Sequence, residues 1–185
     1  MKLYLDTAND SFVIAAFDND DNLIYPKVLE NYQKKVELIP LCMQELLNAT
    51  QTKIDDYEAF YTNLGPGYFT GVRISLVYLR TIATCLKRPI YTISTMQLLQ
   101  YQNPKFKEFY INAKGNKYYK YIVNKNTFSP DLLTCETGEK ENYIEVNYDE
   151  FLENFAEYKD MFKSYNNLDE IEPYYIKMPQ IGEKK

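Results

Sequence analysis

From about Thr70 to Leu86 the chain carries a helical pattern that is apolar on two sides. Val72, Leu76, Leu79, Ala83 and Leu86 share one stripe, and Ile74, Val77, Tyr78 and Ile82 make the opposite side apolar as well. Such a helix must be covered on both faces. The core of one domain covers one face, and the other needs a partner or a second lobe. Immediately upstream, Ala59 to Thr62 reads as a buried strand running into Gly65, Pro66 and Gly67. Strand, glycine turn and buried helix in direct succession place the chain in the α/β class.

The flanking elements extend this frame. Leu3 to Leu5 and Ser11 to Phe17 are β-prone runs separated by the turn cluster Asp6 to Asp10, and Leu23 to Glu30 supplies a third strand that Pro26 confines to an edge or bulge. Between about Gln33 and Asn48, residues Ile39, Cys42, Met43, Leu46 and Leu47 recur on one helical face, with Pro40 early in the helix or kinking it. Pro89 to Ile93 is a strand, and Ser94 is the expected N-cap of a helix starting at Thr95. Composition changes near Tyr101 to Pro104, which divides the chain into lobes 1–100 and 101–185. In the second, Phe109 to Asn112 and Tyr118 to Asn124 form a hairpin across Gly115 and Asn116, followed by a strand at Tyr143 to Val146 and a helix at Phe151 to Phe162.

Bulk properties remove several functions. The chain has 185 residues, 45% hydrophobic and 25% charged, enough for one sizeable core or two small lobes. A net charge of -5 opposes a main role in holding phosphate backbone. There is no histidine, so serine triads, Cys-His dyads and histidine metal sites are excluded. Cys42, Cys85 and Cys135 are far apart and read as reduced cysteines rather than a disulfide framework or zinc site. No secretory signal and no run approaching a membrane span is placed, so a cytoplasmic location without membrane contact is expected. Charge is uneven: residues 101 to 126 hold six lysines and one glutamate, whereas 127 to 185 hold six lysines and fourteen acids. Lys114, Lys117 and Lys120, interleaved with Tyr118, Tyr119 and Tyr121, form either an RNA contact or a solvated face with packed tyrosines.

The segment Asn63 to Ile74 holds the candidate chemistry. Backbone amides at a helix N-terminus can hold an anion. The same glycines equally serve a tight turn, with Gly65 and Gly67 adopting unusual backbone angles and Gly71 letting another helix approach closely. No Lys-Ser or Lys-Thr follows, which favours the turn. Arg73 is a planar, permanently charged fork near a helix start, where a cation opposes the macrodipole. It is either a surface arginine or a partner for a carboxylate or phosphate.

The run Gly65-Pro66-Gly67-Tyr68-Phe69-Thr70-Gly71-Val72-Arg73-Ile74 resembles the hallmark of the TsaB (YeaZ) family. Leu3 to Ala8, Ile93 to Met96, Ile111 to Lys114 and Pro173 to Pro179 resemble further family segments in the right order. Tyr68, Ser75, Asn112 and Lys177 depart from the usual residues, as drift in a scaffold would. The resemblance implies an actin-like (ASKHA), ribonuclease-H-like fold: a mixed five-stranded sheet with helices, in two lobes, the second reduced here. It also implies a non-catalytic scaffold subunit that dimerises with TsaD and helps recruit TsaE for threonylcarbamoylation of adenosine in transfer RNA. ATP and metal then belong to TsaD, the RNA is met only indirectly, and the free chain can form a homodimer. The implied pairing surface lies on the two helices and the loop before the second, and takes in Ile39, Cys42, Met43, Leu46, Gly65, Gly67, Phe69, Thr70, Gly71, Arg73, Ile74, Val77 and Ile82. In active members of the wider fold an aspartate at the end of the first strand serves a magnesium-bound phosphate, so Asp6 has that reading beside the one of a turn aspartate. An ATPase or phosphotransferase using Asp6 and the Gly65 to Gly71 loop is the alternative function. It would need a second phosphate loop, and no convincing one follows Gly71. A peptidase, suggested by older naming of relatives, is opposed by the missing histidine.

Overall fold

The computed structural model describes residues 1–31, 34–123, 128–141 and 143–176. The expected helix start at Gln33, strand end at Asn124 and family residues Lys177 to Pro179 lie outside them. A six-stranded mixed sheet comprises β1 (Lys2–Asp6), β2 (Phe12–Phe17), β3 (Leu23–Leu29), β4 (Ala59–Asn63), β5 (Ile90–Ile93) and β9 (Lys163–Ser164) in the order β3-β2-β1-β4-β5-β9. The first five are the expected strands, and the two-residue β9 adds an antiparallel sixth at one edge. β1 pairs antiparallel with β2 and parallel with β4, and β4 runs parallel to β5. Pro26 lies in β3 at the opposite edge, where its missing donor costs no ladder bond.

Alternation along β1 and β2 sorts side chains between two packed faces. Leu3, Leu5, Phe12, Ile14 and Ala16 meet α1 (Lys35–Thr50) and α2 (Phe69–Leu86). Tyr4, Val13, Ala15 and Phe17 meet α4 (Tyr148–Glu153) and α5 (Phe155–Tyr158), with Phe17 stacked on Phe155 at 4.0 Å. Burial on both faces explains why β2 is an unbroken apolar run. A second sheet, β6 (Glu108–Asn112), β7 (Lys117–Ile122) and β8 (Leu133–Thr137), packs through Phe109, Ile111 and Tyr121 against Met96 and Leu99 of α3 (Thr95–Gln102). Ser94 caps α3 as expected: its Oγ accepts from Met96 N, and Gln97 Oε1 accepts from Ser94 N at 3.0 Å.

Several expectations need correction. Tyr143 to Val146 is not a strand; Ile144 N reaches Tyr110 O at 3.4 Å, without a ladder around it. The helix expected at Phe151 to Phe162 starts at Tyr148 and breaks at Asn154 into α4 and α5. α2, with 18 residues, is long and apolar enough by length and composition to cross a membrane, against the reading that no run approaches that length. Here it lies on the sheet through Val72, Leu76, Leu79 and Ala83.

Candidate functional site

Asp6 ends β1 and is fully buried. Its Oδ2 accepts from Tyr148 Oη at 2.7 Å, Tyr4 Oη at 2.9 Å and Asn63 Nδ2 at 3.0 Å, while Oδ1 accepts from Ala8 N at 2.7 Å. Four donors take up the carboxylate's capacity. Burial, and after it the Asp6 charge, push both tyrosine phenols well above their ordinary pKa, so they remain donors. A metal or phosphate has no room on this group, and the residues do not fit the magnesium-phosphate reading. We expect Tyr148→Phe to cost about 2 kcal/mol in urea unfolding, the usual value of a hydrogen bond to a charged group. A change within about 0.5 kcal/mol would mean that the Tyr148 bond contributes nothing.

The glycine loop is spent in the same way. A Cβ on Gly67 would stand 2.2 Å from Ala8 O, and one on Gly71 would stand 2.1 Å from Thr7 O. Loop and β1–β2 turn therefore touch backbone to backbone, fastened by Tyr68 N donating to Ala8 O at 2.7 Å and Thr7 Oγ1 to Gly71 O at 2.6 Å. Asn63 ties this loop to Asp6: its Nδ2 also donates to Thr95 Oγ1, and its Oδ1 accepts from Gly65 N. Lys35 braces the far side of the turn, donating to Thr7 O, Asn9 O and Ser11 O, and burial lowers its pKa to about 8. The cleft beside the loop, lined by Asn9, Asp10, Tyr68, Thr95, Glu145 and Tyr148 among others, offers about 50 Å³. That is space for a few waters. Its charged walls include the carboxylates Asp10 and Glu145, which repel phosphate.

The implied pairing surface divides sharply. Ile39, Cys42, Met43 and Leu46 are at most 4% exposed, because the apolar stripe of α1 packs on the chain's own sheet. Gly65, Gly67 and Gly71 are buried against the β1–β2 turn or the loop itself, and Ile74 and Ile82 are half-buried on the same core. Seven of these nine residues are thus buried within the chain, and Ile74 and Ile82 keep part of their surface open. Phe69, Thr70, Arg73 and Val77 are exposed, with Val77 at 59%. Sequence reasoning missed Tyr175 in the closing segment, which contacts Phe69 and Arg73, and the exposed Val36 and Leu41 on α1. The apolar side chains Val36 and Leu41 lie off the main stripe of α1, the one signal that could have found them.

The family model described as TsaD, tRNA N6-adenosine threonylcarbamoyltransferase, matches residues 24–125, more than half of the chain. A tRNA threonylcarbamoyladenosine biosynthesis protein TsaB from Buchnera aphidicola subsp. Schizaphis graminum is 35% identical over 155 residues, covering 78% of this chain and 69% of that protein. Among solved structures, YeaZ from Pseudomonas aeruginosa matches with a TM-score of 0.55 at 19% identity, covering 75% of this chain and 65% of its own. A protein described as uncharacterized, with similarity to peptidase YEAZ from Pseudomonas aeruginosa, matches with a TM-score of 0.64 at 16% identity, covering 95% and 99%. Together with the family-model match, these two likenesses show that the chain shares the YeaZ fold, a mixed sheet with helices. With the sequence identity extending over most of a TsaB and the family model covering the glycine loop and both outer helices, the chain belongs to the TsaB (YeaZ) family.

Proposed function

We infer that this chain is a non-catalytic subunit of threonylcarbamoyladenosine biosynthesis on transfer RNA, dimerising with a TsaD transferase and helping to recruit TsaE. The observation that carries this is the consumption of Asp6 and the glycine loop by contacts within the chain, where an active member of the fold would hold phosphate. With no histidine and no accessible carboxylate at that position, ATP and metal are left to TsaD. Docking uses the outer side of α2, where Phe69, Arg73 and Val77 follow one another at helical spacing and remain exposed.

Contact with the RNA is made through the partner. Lys114 is engaged by Asp10 at 3.8 Å and by the Tyr68 ring, and Lys120 lies near enough to Glu136 to lower its pKa, so part of the hairpin's positive charge is matched within the chain. A cytoplasmic location follows from this role, and the same docking surface supports self-association when TsaD is absent. The alternative, an ATPase or phosphotransferase, and the peptidase reading both lack an open reactive group at Asp6. Purified TsaD and TsaE, transfer RNA and threonylcarbamoyl donor should give modification only when this chain is added, and the chain alone should give none. Modification at full rate without it, or ATP turnover by the chain alone that Asp6→Ala abolishes, would refute the assignment.

A further inference from the structure

Arg73 is held on the surface of α2 by two aromatic rings and one hydrogen bond. Its guanidinium carbon lies 3.7 Å from the centroid of the Phe69 ring, one turn back, and 5.0 Å from that of Tyr175. Nε donates to Tyr175 Oη at 2.9 Å. The closing segment that brings Tyr175 here is anchored beside α2 by Tyr174 N donating to Leu64 O at 3.0 Å and by Arg80 Nη2 donating to Ile171 O. Among the described residues no carboxylate pairs with Arg73, and its two terminal nitrogens have no acceptor. Phe69 and Tyr175 are 43% and 45% exposed, so the cation is framed by apolar surface that is itself uncovered.

We propose that Arg73 is the specificity-determining residue of the docking surface, its two free Nη groups receiving a carboxylate presented by an apolar helix face of the partner. The fork suits a carboxylate or a phosphate, and the exposed apolar rings around it favour a carboxylate carried on an apolar protein face. Two aromatic rings and one hydrogen bond fix the plane of the fork, leaving a parallel pair of N–H donors whose spacing matches two carboxylate oxygens. Preorganisation removes much of the entropy cost that makes ordinary surface arginines weak contributors. Arginine bedded among aromatic side chains is also the composition of interface hot spots. A second copy of this chain is a poorer occupant, since a two-fold axis near the α2 stripe would bring one Arg73 toward another.

The inference rests on the TsaD-partner reading above, and one set of binding measurements separates the two. Wild type, Arg73→Gln, Arg73→Lys and Val77→Glu are titrated calorimetrically against purified TsaD at low and high salt, with thermal midpoints recorded for each. We expect Arg73→Gln to weaken binding by about 30-fold and Arg73→Lys by about tenfold, with midpoints unchanged, because lysine keeps the charge but not the fork. Salt should weaken the wild type more than Arg73→Gln, since only the former has an ion pair to screen. Binding of Arg73→Gln within twofold of wild type, while Val77→Glu fails to bind, would overturn the role of Arg73 and leave the surface standing. Wild-type affinity for both variants would overturn the surface itself. If sedimentation shows that Arg73→Gln loses only self-association, with TsaD affinity intact, the occupant is a second copy and the proposal fails.

Discussion

Gly71→Ala is expected to lower the thermal midpoint by about 10 °C, although helix propensity alone predicts a gain of about 1 kcal/mol from replacing an interior glycine. The new Cβ would stand 2.1 Å from Thr7 O and 3.3 Å from Ala8 O, both backbone atoms. Thr7 cannot rotate away without cost, because its carbonyl accepts from Lys35 and its side chain donates to Gly71 O. α2 must therefore draw back from the β1–β2 turn, weakening the Thr7 Oγ1 bond and the Tyr68 N to Ala8 O bond at the start of the helix. Overpacking of this kind costs about 1–3 kcal/mol, and each weakened hydrogen bond adds about 1 kcal/mol. With the propensity gain set against them, the net loss of about 2–4 kcal/mol converts to about 10 °C for a chain of this size. Gly67→Ala should behave alike, its Cβ meeting Ala8 O at 2.2 Å. Differential scanning calorimetry decides between two explanations of the glycines. If they existed to admit a phosphate, Gly71→Ala would be stable or stabilised in the absence of ligand.

Local patterns made the first lobe legible. Period-two and helical apolar patterns, the Pro26 edge signal and the Ser94 cap gave the order from β1 to α3, because those elements are specified by neighbours close in sequence. β8 was missed because Leu-Thr-Cys-Glu-Thr is largely polar and its pairing with β7 is its main reason to be a strand. Tyr143 to Val146 was misread for the converse reason: β-prone residues without a partner strand form no ladder.

The site was legible only as a set of residues, since periodicity says which side chains share a face and nothing about what covers it. Ile39, Cys42, Met43 and Leu46 do share a face of α1, yet their own sheet fills it. Long-range partners left no signal. Asp6 is closed by Tyr148, 142 positions away, and Arg73 is oriented by Tyr175, 102 positions away. The same ambiguity attended α2. Ile74, Tyr78 and Ile82 are half-buried on the domain's own core, and Val77 alone among the four residues read as its second apolar side is exposed.

Val77 therefore gives the most direct test of docking through α2. At 59% exposure in the free chain, Val77→Glu should change stability by no more than about 0.5 kcal/mol. At a packed interface the new carboxylate is desolvated, and Arg73, one turn back, can pair with it only by being withdrawn from the partner. Both effects oppose docking and together amount to several kcal/mol, a loss of affinity of at least about 100-fold. The decisive measurement is the affinity of folded Val77→Glu for TsaD, read by calorimetry alongside threonylcarbamoylation of transfer RNA in the reconstituted system. Docking through α2 predicts an unchanged thermal midpoint, binding below detection at micromolar concentration and loss of modification. A folded Val77→Glu chain that binds TsaD with wild-type affinity and supports full modification would contradict it.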